Sequence, residues 1–316
     1  MQQNFDVHRP QTRRRFLLLM LAGATGTLTA ACGSQEGQSE VSTTSTTSSL
    51  EAPVVAEATD AAQAQTAPPA VSPAPTVAAE APTSSPTASV AMAAAGVLLA
   101  RPAAQVQASD VRPGVQPLGL FRERDTLLYV PARYTPDQPA SLVVLLHGAG
   151  GVAEHGLSLL QGLADDANLL LLAPASRRQT WDVIRGGYGP DVTGINQAME
   201  QVFSRYAVDT SRLGIGGFSD GASYALSLGL TNGDLFTHIL AFSPGFMAPA
   251  RQEGKPSIYI SHGTGDTVLP IDACSRKIVP RLERAGYTVR YHEFDGPHTV
   301  PPEITREALG WFRGDA

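Results

Sequence analysis

Short apolar runs alternate with helix-compatible segments along residues 113–316 of this 316-residue chain. Runs such as 142–146 and 169–173 contain only Leu, Val and Ala, which is typical of strands buried on both faces of a sheet. The pattern predicts strands at 118–121, 127–130, 142–146, 169–173, 212–216, 238–242, 257–261 and 288–294, and helices at 157–168, 191–206, 222–230, 273–285 and 302–312. This alternation predicts an α/β fold with a mostly parallel central sheet and helices on both faces.

Local signals refine some of these elements. We expect the first two strands to run antiparallel to each other. Asp191 or Thr193 is expected to cap the helix at 191–206, because each side chain can accept a hydrogen bond from a free helical N–H. Pro280 is expected to kink or end the helix that contains it, since proline has no N–H to donate.

The composition changes before residue 113. Residues 33–112 are mostly Ala, Ser, Thr, Pro, Val, Gln and Glu, with no aromatic residue. Such a stretch cannot bury enough apolar surface to offset its chain entropy, so we expect a disordered linker. Its apolar patch at 90–100 is too short to span a bilayer and is expected to form only a transient helix. The folded domain is therefore expected to occupy residues 113–316.

The first 32 residues resemble an export signal. The segment TRRRFLL at 12–18 resembles the twin-arginine pattern, and the apolar stretch after it is short and diluted by Gly and Thr. It ends in LTAACG at 28–33, which resembles a bacterial lipobox with Thr29 where Leu is usual. This predicts lipidation of Cys32 and stable anchoring by two or three acyl chains at the cell surface or at the periplasmic face of a bacterial membrane. The alternative is simple secretion after cleavage at a small residue.

Charge and cysteine content exclude other classes. The formal net charge is −6, and the folded part has no stripe of Lys and Arg, so we expect no nucleic-acid partner. Cys274 is the only cysteine besides Cys32, which leaves no disulfide framework. We expect Cys274 to be a buried small hydrophobic residue. Oligomeric state is not determined by these features.

The segment Gly217–Gly221 reads G-x-S-x-G between a predicted strand and a predicted helix. This is the context of a nucleophile elbow, a strained turn that exposes a serine hydroxyl above the sheet. A Cβ at either glycine would collide with the neighbouring strand or helix. The alternative is a glycine-rich turn with a surface serine.

A serine nucleophile needs a base, and the base needs an orienting carboxylate. Asp266 and His298 lie in turns after the last two predicted strands, and the chain order Ser219, Asp266, His298 is that of α/β-hydrolases. We therefore predict Ser219 as nucleophile, His298 as general base and acid, and Asp266 as the orienting group. Alternatives are a surface turn for Asp266 and a loop role for His298; Asp272 and Asp295 are fallback acids.

An oxyanion hole requires two backbone N–H groups near the nucleophile. One is predicted from Asp220, directly after the serine, and the other from Ala149 in His147–Gly151, the glycine-rich segment after a central strand. The alternatives are a tight turn or a phosphate loop. A phosphate loop would need a lysine after its glycines, and none is present.

These motifs together resemble the α/β-hydrolases of the phospholipase/carboxylesterase group, including polyhydroxybutyrate-depolymerase-like and feruloyl-esterase-like enzymes. The matching pieces are LHGAG at 146–150, GFSDG at 217–221, HGTGDTVLP at 262–270 and GPH at 296–298. The resemblance implies hydrolysis of small or polymeric carboxylic esters with no cofactor and no metal. It also implies Trp181 as a wall of the acyl pocket, with core packing as the alternative. Asp220 departs from the glutamine that often follows the serine, and its carboxylate is expected to disfavour acidic acyl groups.

The connection between the strands 238–242 and 257–261 is too short for a large lid, so we expect an open site. A peptidase or acyltransferase on the same fold would use the same triad. A lipoprotein that binds a ligand without catalysis is the other alternative.

Overall fold

The computed structural model describes residues 86–103, 106 and 111–315. Contacts divide the chain into units at 1–75 and 76–316, and the described residues belong to the second. The predictions for the signal segment, for Cys32 and for most of the linker therefore lie outside the described residues. Within the part that is described, no helix is both long and apolar enough to cross a bilayer.

The described residues form one eight-stranded sheet in the order β1-β2-β4-β3-β5-β6-β7-β8. The strands are β1 Gly114–Pro117, β2 Leu127–Val130, β3 Ala140–Leu146, β4 Leu169–Ala173, β5 Val208–Phe218, β6 His238–Phe242, β7 Ser257–Gly263 and β8 Val289–Phe294. β1 pairs antiparallel with β2, and β2 pairs antiparallel with β4. All other pairs are parallel, which confirms the predicted sheet and its fold class.

The helices are α1 Pro86–Ala94, α2 Ala153–Leu157, α3 Gln161–Ala167, α4 Pro190–Arg205, α5 Asp220–Thr231, α6 Ser275–Arg284 and α7 Pro302–Arg313, with a short 3-10 helix at Asp182–Arg185. Two buried apolar clusters pack against opposite faces of the sheet. One contains the inward residues of α4, α5 and α6, and the other those of α2, α3 and α7.

Two predicted elements, the first strand and the first helix, have wrong boundaries. The first strand ends at Pro117, because the Asp125 carboxylate accepts hydrogen bonds from the N–H groups of residues 119–121 and turns the chain there. The predicted helix 157–168 is two short helices. Pro280 does not end α6, which continues to Arg284 and buries Ile278 and Leu282 on its sheet side.

The capping prediction for α4 is also wrong. Gly189 occupies the N-cap and Pro190 the first helical position, where a missing N–H costs nothing. The Asp191 carboxylate points away from the helix and accepts the N–H groups of Arg177 and Asp182 at 2.6 and 2.7 Å. Burial raises the pKa of Asp191 to about 6. Asp191 therefore organises the loop before the helix.

Residues 86–103 belong to the fold, which corrects the predicted domain start at 113. Leu98 is completely buried, and α1 packs against α4. The Asn232 side chain accepts the Leu98 N–H at 2.8 Å, and the Asn196 side chain accepts the N–H groups of Leu99 and Ala100 at 2.6 and 2.8 Å. Two buried amides thus satisfy the backbone of an extended segment that composition alone assigned to the linker.

Candidate active site

Ser219 lies on a sharp turn between β5 and α5, with φ at 58°. A Cβ on Gly217 would lie 2.6 Å from the Leu146 carbonyl oxygen, and one on Gly221 would lie 2.1 Å from the same atom. Side chains at these two positions would therefore force the turn away from β3. The Ser219 N–H donates to the Phe242 carbonyl at 2.9 Å, which holds the turn to β6.

The structure brings Ser219, His298 and Asp266 together at one edge of the sheet. His298 Nε2 lies 2.9 Å from Ser219 Oγ, and His298 Nδ1 lies 2.5 Å from Asp266 Oδ2. With the proton on Nδ1, the imidazole donates to the carboxylate and accepts from the serine hydroxyl. The Phe218 ring packs against the imidazole at 4.6 Å.

The Asp266 carboxylate is fully buried and held by its own loop. Its Oδ1 accepts the N–H groups of Val268 and Leu269 at 2.9 and 2.8 Å. Neither fallback acid takes this position. Asp272 is exposed and pairs with Arg276 at 2.8 Å, and Asp295 lies at the surface.

The glycine-rich segment after β3 lies beside the elbow, because a Cβ on Gly148 would be 3.5 Å from Ser219 Cβ. Among the described residues, the N–H groups of Ala149 and Asp220 donate to no protein acceptor. Gly150 N–H, by contrast, donates to the Gln179 carbonyl at 2.6 Å.

The His147 side chain contacts the backbone of this segment and of the neighbouring residue Ser176. Its Nδ1 lies 2.7 Å from the Gly148 carbonyl, and its Nε2 accepts the Ser176 N–H at 3.0 Å. Burial lowers the pKa of His147 to about 4, so the ring is neutral at neutral pH. Arg124 donates to the Gly151 carbonyl at 2.7 Å and to the Ser176 hydroxyl. These two hydrogen bonds link the end of the segment to Ser176.

Trp181 is buried in the core and lines no part of the groove beside His298, so its predicted role as an acyl-pocket wall is wrong. The side chain is fully buried and stacks on Tyr224 with ring centroids 5.1 Å apart. Its Nε1–H donates to the His147 carbonyl at 2.9 Å. The alternative interpretation, core packing, therefore describes Trp181. Its hydrogen bond to His147 also holds the glycine-rich segment that follows β3.

The Asp220 side chain is buried and turned toward Thr180, whose hydroxyl donates to Oδ2 at 2.5 Å. Burial raises the pKa of Asp220, while the Thr180 hydrogen bond and the nearby His298 oppose that rise. Sequence motifs gave no indication of Thr180, because it lies in a loop with no recognisable pattern. The hydroxyl keeps the carboxylate paired beside the predicted oxyanion site.

Comparisons with known proteins find similarity to esterases. A family model described as Phospholipase/Carboxylesterase matches residues 190–308. A probable feruloyl esterase C from Aspergillus oryzae is 29% identical over 160 residues, covering 48% of this chain and 58% of that protein. Its Aspergillus niger counterpart is 30% identical over 157 residues, covering 47% and 57%. The crystal structure of esterase PE8 superposes with a TM-score of 0.50 at 22% identity, covering 64% of this chain and 99% of that one.

The chain has the α/β-hydrolase fold. The family model and the curated relatives that it matches are carboxylesterases. The chain spans somewhat more than half the length of the curated relatives that it matches.

An open groove of about 670 Å³ leads away from His298. Its lining includes the apolar side chains of Phe218, which packs on His298, and of Leu159, Leu163 and Val300. It also includes the polar side chains of His155, Ser158, Thr305 and Arg306. None of the described carboxylates lines the groove, although the net charge of the chain is negative. Among the described residues, no group of three or more His, Cys, Asp or Glu side chains is arranged to hold a metal ion.

Residues 243–256, which connect β6 to β7, are fastened along α5. The hydroxyls of Ser223, Ser227 and Thr231 donate to helix carbonyls one turn earlier. The same hydroxyls accept the N–H groups of Gly245, Ala248 and Ala250, respectively. This connection, called the strap below, therefore lies along α5, the helix that begins at the elbow. None of residues 243–256 lines the groove.

Proposed function

We propose that this protein is a serine esterase that hydrolyses carboxylic esters through an acyl-enzyme on Ser219. The observation that carries the proposal is the continuous contact from Ser219 Oγ through His298 to the Asp266 carboxylate. The carboxylesterase-group matches support the same chemistry.

The mechanism follows from the positions of these groups. His298 Nε2 takes the proton of Ser219 as the hydroxyl oxygen attacks the ester carbonyl, and then gives it to the leaving alcohol. Asp266 keeps the proton on Nδ1 and stabilises the imidazolium. The N–H groups of Ala149 and Asp220 receive the negative charge of the tetrahedral intermediate, where one such donor is typically worth about 3–4 kcal/mol. Water activated by His298 then hydrolyses the acyl-enzyme.

The groove favours esters with an alkyl or aryl group next to the reacting carbonyl. Phe218, Leu159 and Val300 offer an apolar surface beside His298, and the strap at 243–256 leaves access for long or polymeric substrates. The names of the matched fungal relatives support including feruloyl esters among the candidates.

The export signal remains part of the proposal. The twin-arginine-like segment at 12–18 and the lipobox-like segment ending at Cys32 support a protein exported and lipid-anchored at a bacterial membrane. Cys32→Ser is expected to move the full-length protein from the membrane fraction to the aqueous fraction. Unchanged membrane association of this variant would contradict the anchor.

Ester turnover tests the catalytic part of the proposal. Wild-type protein is assayed on p-nitrophenyl acetate, p-nitrophenyl butyrate and methyl ferulate, with an aminoacyl p-nitroanilide for peptidase activity. Ser219→Ala is expected to abolish ester turnover, while Ser204→Ala, at an exposed serine on α4, retains it. Amide turnover exceeding ester turnover would identify a peptidase instead. Full ester turnover by Ser219→Ala would overturn the assignment.

A further inference from the structure

A second histidine lies behind the acid of the proposed triad. His262 is the next-to-last residue of β7 and is fully buried. Its Nε2 lies 3.2 Å from Asp266 Oδ2, the same oxygen that contacts His298, and 2.8 Å from the Leu269 carbonyl oxygen. Two imidazole rings therefore share one carboxylate oxygen.

The partners of His262 determine which nitrogen carries its proton. The Leu269 carbonyl can only accept a hydrogen bond, so Nε2 is the protonated nitrogen. Nδ1 lies 2.7 Å from the Ser275 hydroxyl, which donates to it. Burial lowers the pKa of His262, against the opposing effects of Leu269 and Asp266. The Nε2–H therefore donates to the Leu269 carbonyl, and its nitrogen lies 3.2 Å from Asp266 Oδ2.

We propose that His262 is a positioning residue that fixes the Asp266 carboxylate and, through it, the orientation of His298. This inference rests on the proposed function. Asp266 Oδ1 is held by two backbone N–H groups, whereas Oδ2, within the described part of the chain, contacts the two histidines. During turnover His298 exchanges its Nε2 proton while its Nδ1–H stays bonded to Oδ2, so the orientation of the ring depends on how firmly Oδ2 itself is held. The buried His262 Nε2–H lies 3.2 Å from Oδ2 and takes no part in proton transfer.

A purely structural role is the competing explanation. His262 also joins the Leu269 carbonyl to Ser275 at the start of α6, and these contacts would stabilise the loop whatever the chemistry. The two roles differ in what they predict. A structural role lowers only the melting temperature, whereas a positioning role also lowers kcat and disturbs the Asp266–His298 hydrogen bond.

Two variants with the same functional group separate these roles. In His262→Gln the side-chain amide nitrogen can occupy the place of Nε2, whereas in His262→Asn it reaches only the place of Nδ1. We expect the Gln variant to keep kcat within about threefold of wild type. The Asn variant is expected to lose at least about tenfold in kcat, with KM changed less than about twofold. Protein concentrations are corrected by active-site titration. Equal kcat values for the two variants would overturn the proposal.

Proton NMR gives a readout that needs no turnover. The Nδ1 proton of His298, in its short hydrogen bond to Asp266, is expected far downfield in wild type and in His262→Gln, and lost or shifted in His262→Asn. His238→Asn is the control: His238 begins β6 and packs on Trp311 and Phe312, so this variant should lower the melting temperature and leave the resonance unchanged. An unchanged resonance in His262→Asn would contradict the positioning role.

The outcomes also separate this inference from the proposed function. If wild type shows the resonance but hydrolyses no ester, the esterase proposal fails, and the NMR comparison still decides the role of His262. If His262→Asn does not fold, Ser275→Ala keeps the Nε2–H but removes the hydrogen bond at Nδ1 that holds the ring beside Oδ2. We then expect a lowered kcat and a shifted resonance, and wild-type values of both would overturn the proposal.

Discussion

The indole N–H of Trp181 donates a hydrogen bond to the carbonyl oxygen of His147 over 2.9 Å. This contact joins the buried aromatic stack of Trp181 and Tyr224 to the segment that presents the Ala149 N–H. The core of the domain therefore supports the proposed oxyanion donor directly.

Trp181→Phe is expected to lower kcat and stability together. The change leaves the buried His147 carbonyl without its donor, which typically costs about 1–3 kcal/mol of unfolding free energy. It also loosens the segment carrying Ala149, so kcat should fall about tenfold or more while KM changes little. Steady-state kinetics on p-nitrophenyl acetate and urea unfolding measure both effects. A stable variant with wild-type kcat would contradict the supporting role.

Gly221 is expected to tolerate no side chain. A Cβ there would lie 2.1 Å from the Leu146 carbonyl oxygen, so Gly221→Ala should yield insoluble protein or an inactive elbow. Gly310→Ala is the matched control in α7, where a Cβ meets nothing within 4 Å. That change should stabilise the protein by about 0.5–1 kcal/mol, because alanine favours the helix. Soluble yield and thermal unfolding compare the two, and an active Gly221→Ala would contradict the elbow geometry.

Asn196 is expected to hold the N-terminal segment to the domain. In Asn196→Ala the N–H groups of Leu99 and Ala100 lose their common acceptor, so the unfolding free energy should fall by about 2–4 kcal/mol. Glu200→Gln changes a partly exposed partner of the same amide and should cost less than about 1 kcal/mol. Denaturant unfolding of residues 86–316 measures both. Equal midpoints for wild type and Asn196→Ala would show that the segment contributes nothing.

Lowering the pH is expected to reduce the contribution of His147 to the free energy of unfolding. Its pKa in the folded protein is about 4, below the ordinary value of 6.5, so between these values the unfolded chain binds the proton and the folded chain does not. The contribution of His147 to the unfolding free energy is fully present above pH 6.5 and is lost as the pH falls to about 4. The loss amounts to about 3 kcal/mol at most.

The comparison with His147→Gln isolates this effect. The buried Asp191, whose pKa is raised to about 6, has the opposite dependence between its ordinary value and 6, and it titrates equally in both proteins. The stability difference between wild type and His147→Gln should therefore shrink as the pH falls from 7 to 4. A constant difference across that range would contradict the buried neutral histidine.

The parallel sheet and the meeting of Ser219, Asp266 and His298 could be anticipated from sequence. Continuous Leu and Val runs mark buried strands, and parallel strands bring the residues that follow them to one edge. The burial of Trp181 could not be anticipated, because a loop tryptophan has the same local pattern whether it faces a pocket or the core. Its partner Tyr224 lies on a helix far away in the chain.

The N-terminal segment was missed for a related reason. Residues 86–103 are rich in Ala and lack aromatic residues, so composition resembles the linker before them. Their partners Asn196 and Asn232 are more than 90 residues away, and nothing local to the segment indicates them. The role of His262 likewise depends on a distance, that to Asp266 Oδ2, and not on its motif alone.

Peptide mapping after labelling with a fluorophosphonate tests the central claim most directly. The account predicts one covalent phosphonyl adduct per chain, located on Ser219 by mass spectrometry, with labelling abolished in Ser219→Ala and strongly slowed in His298→Ala. No adduct on the folded wild-type protein, or an adduct on a residue other than Ser219, would contradict it.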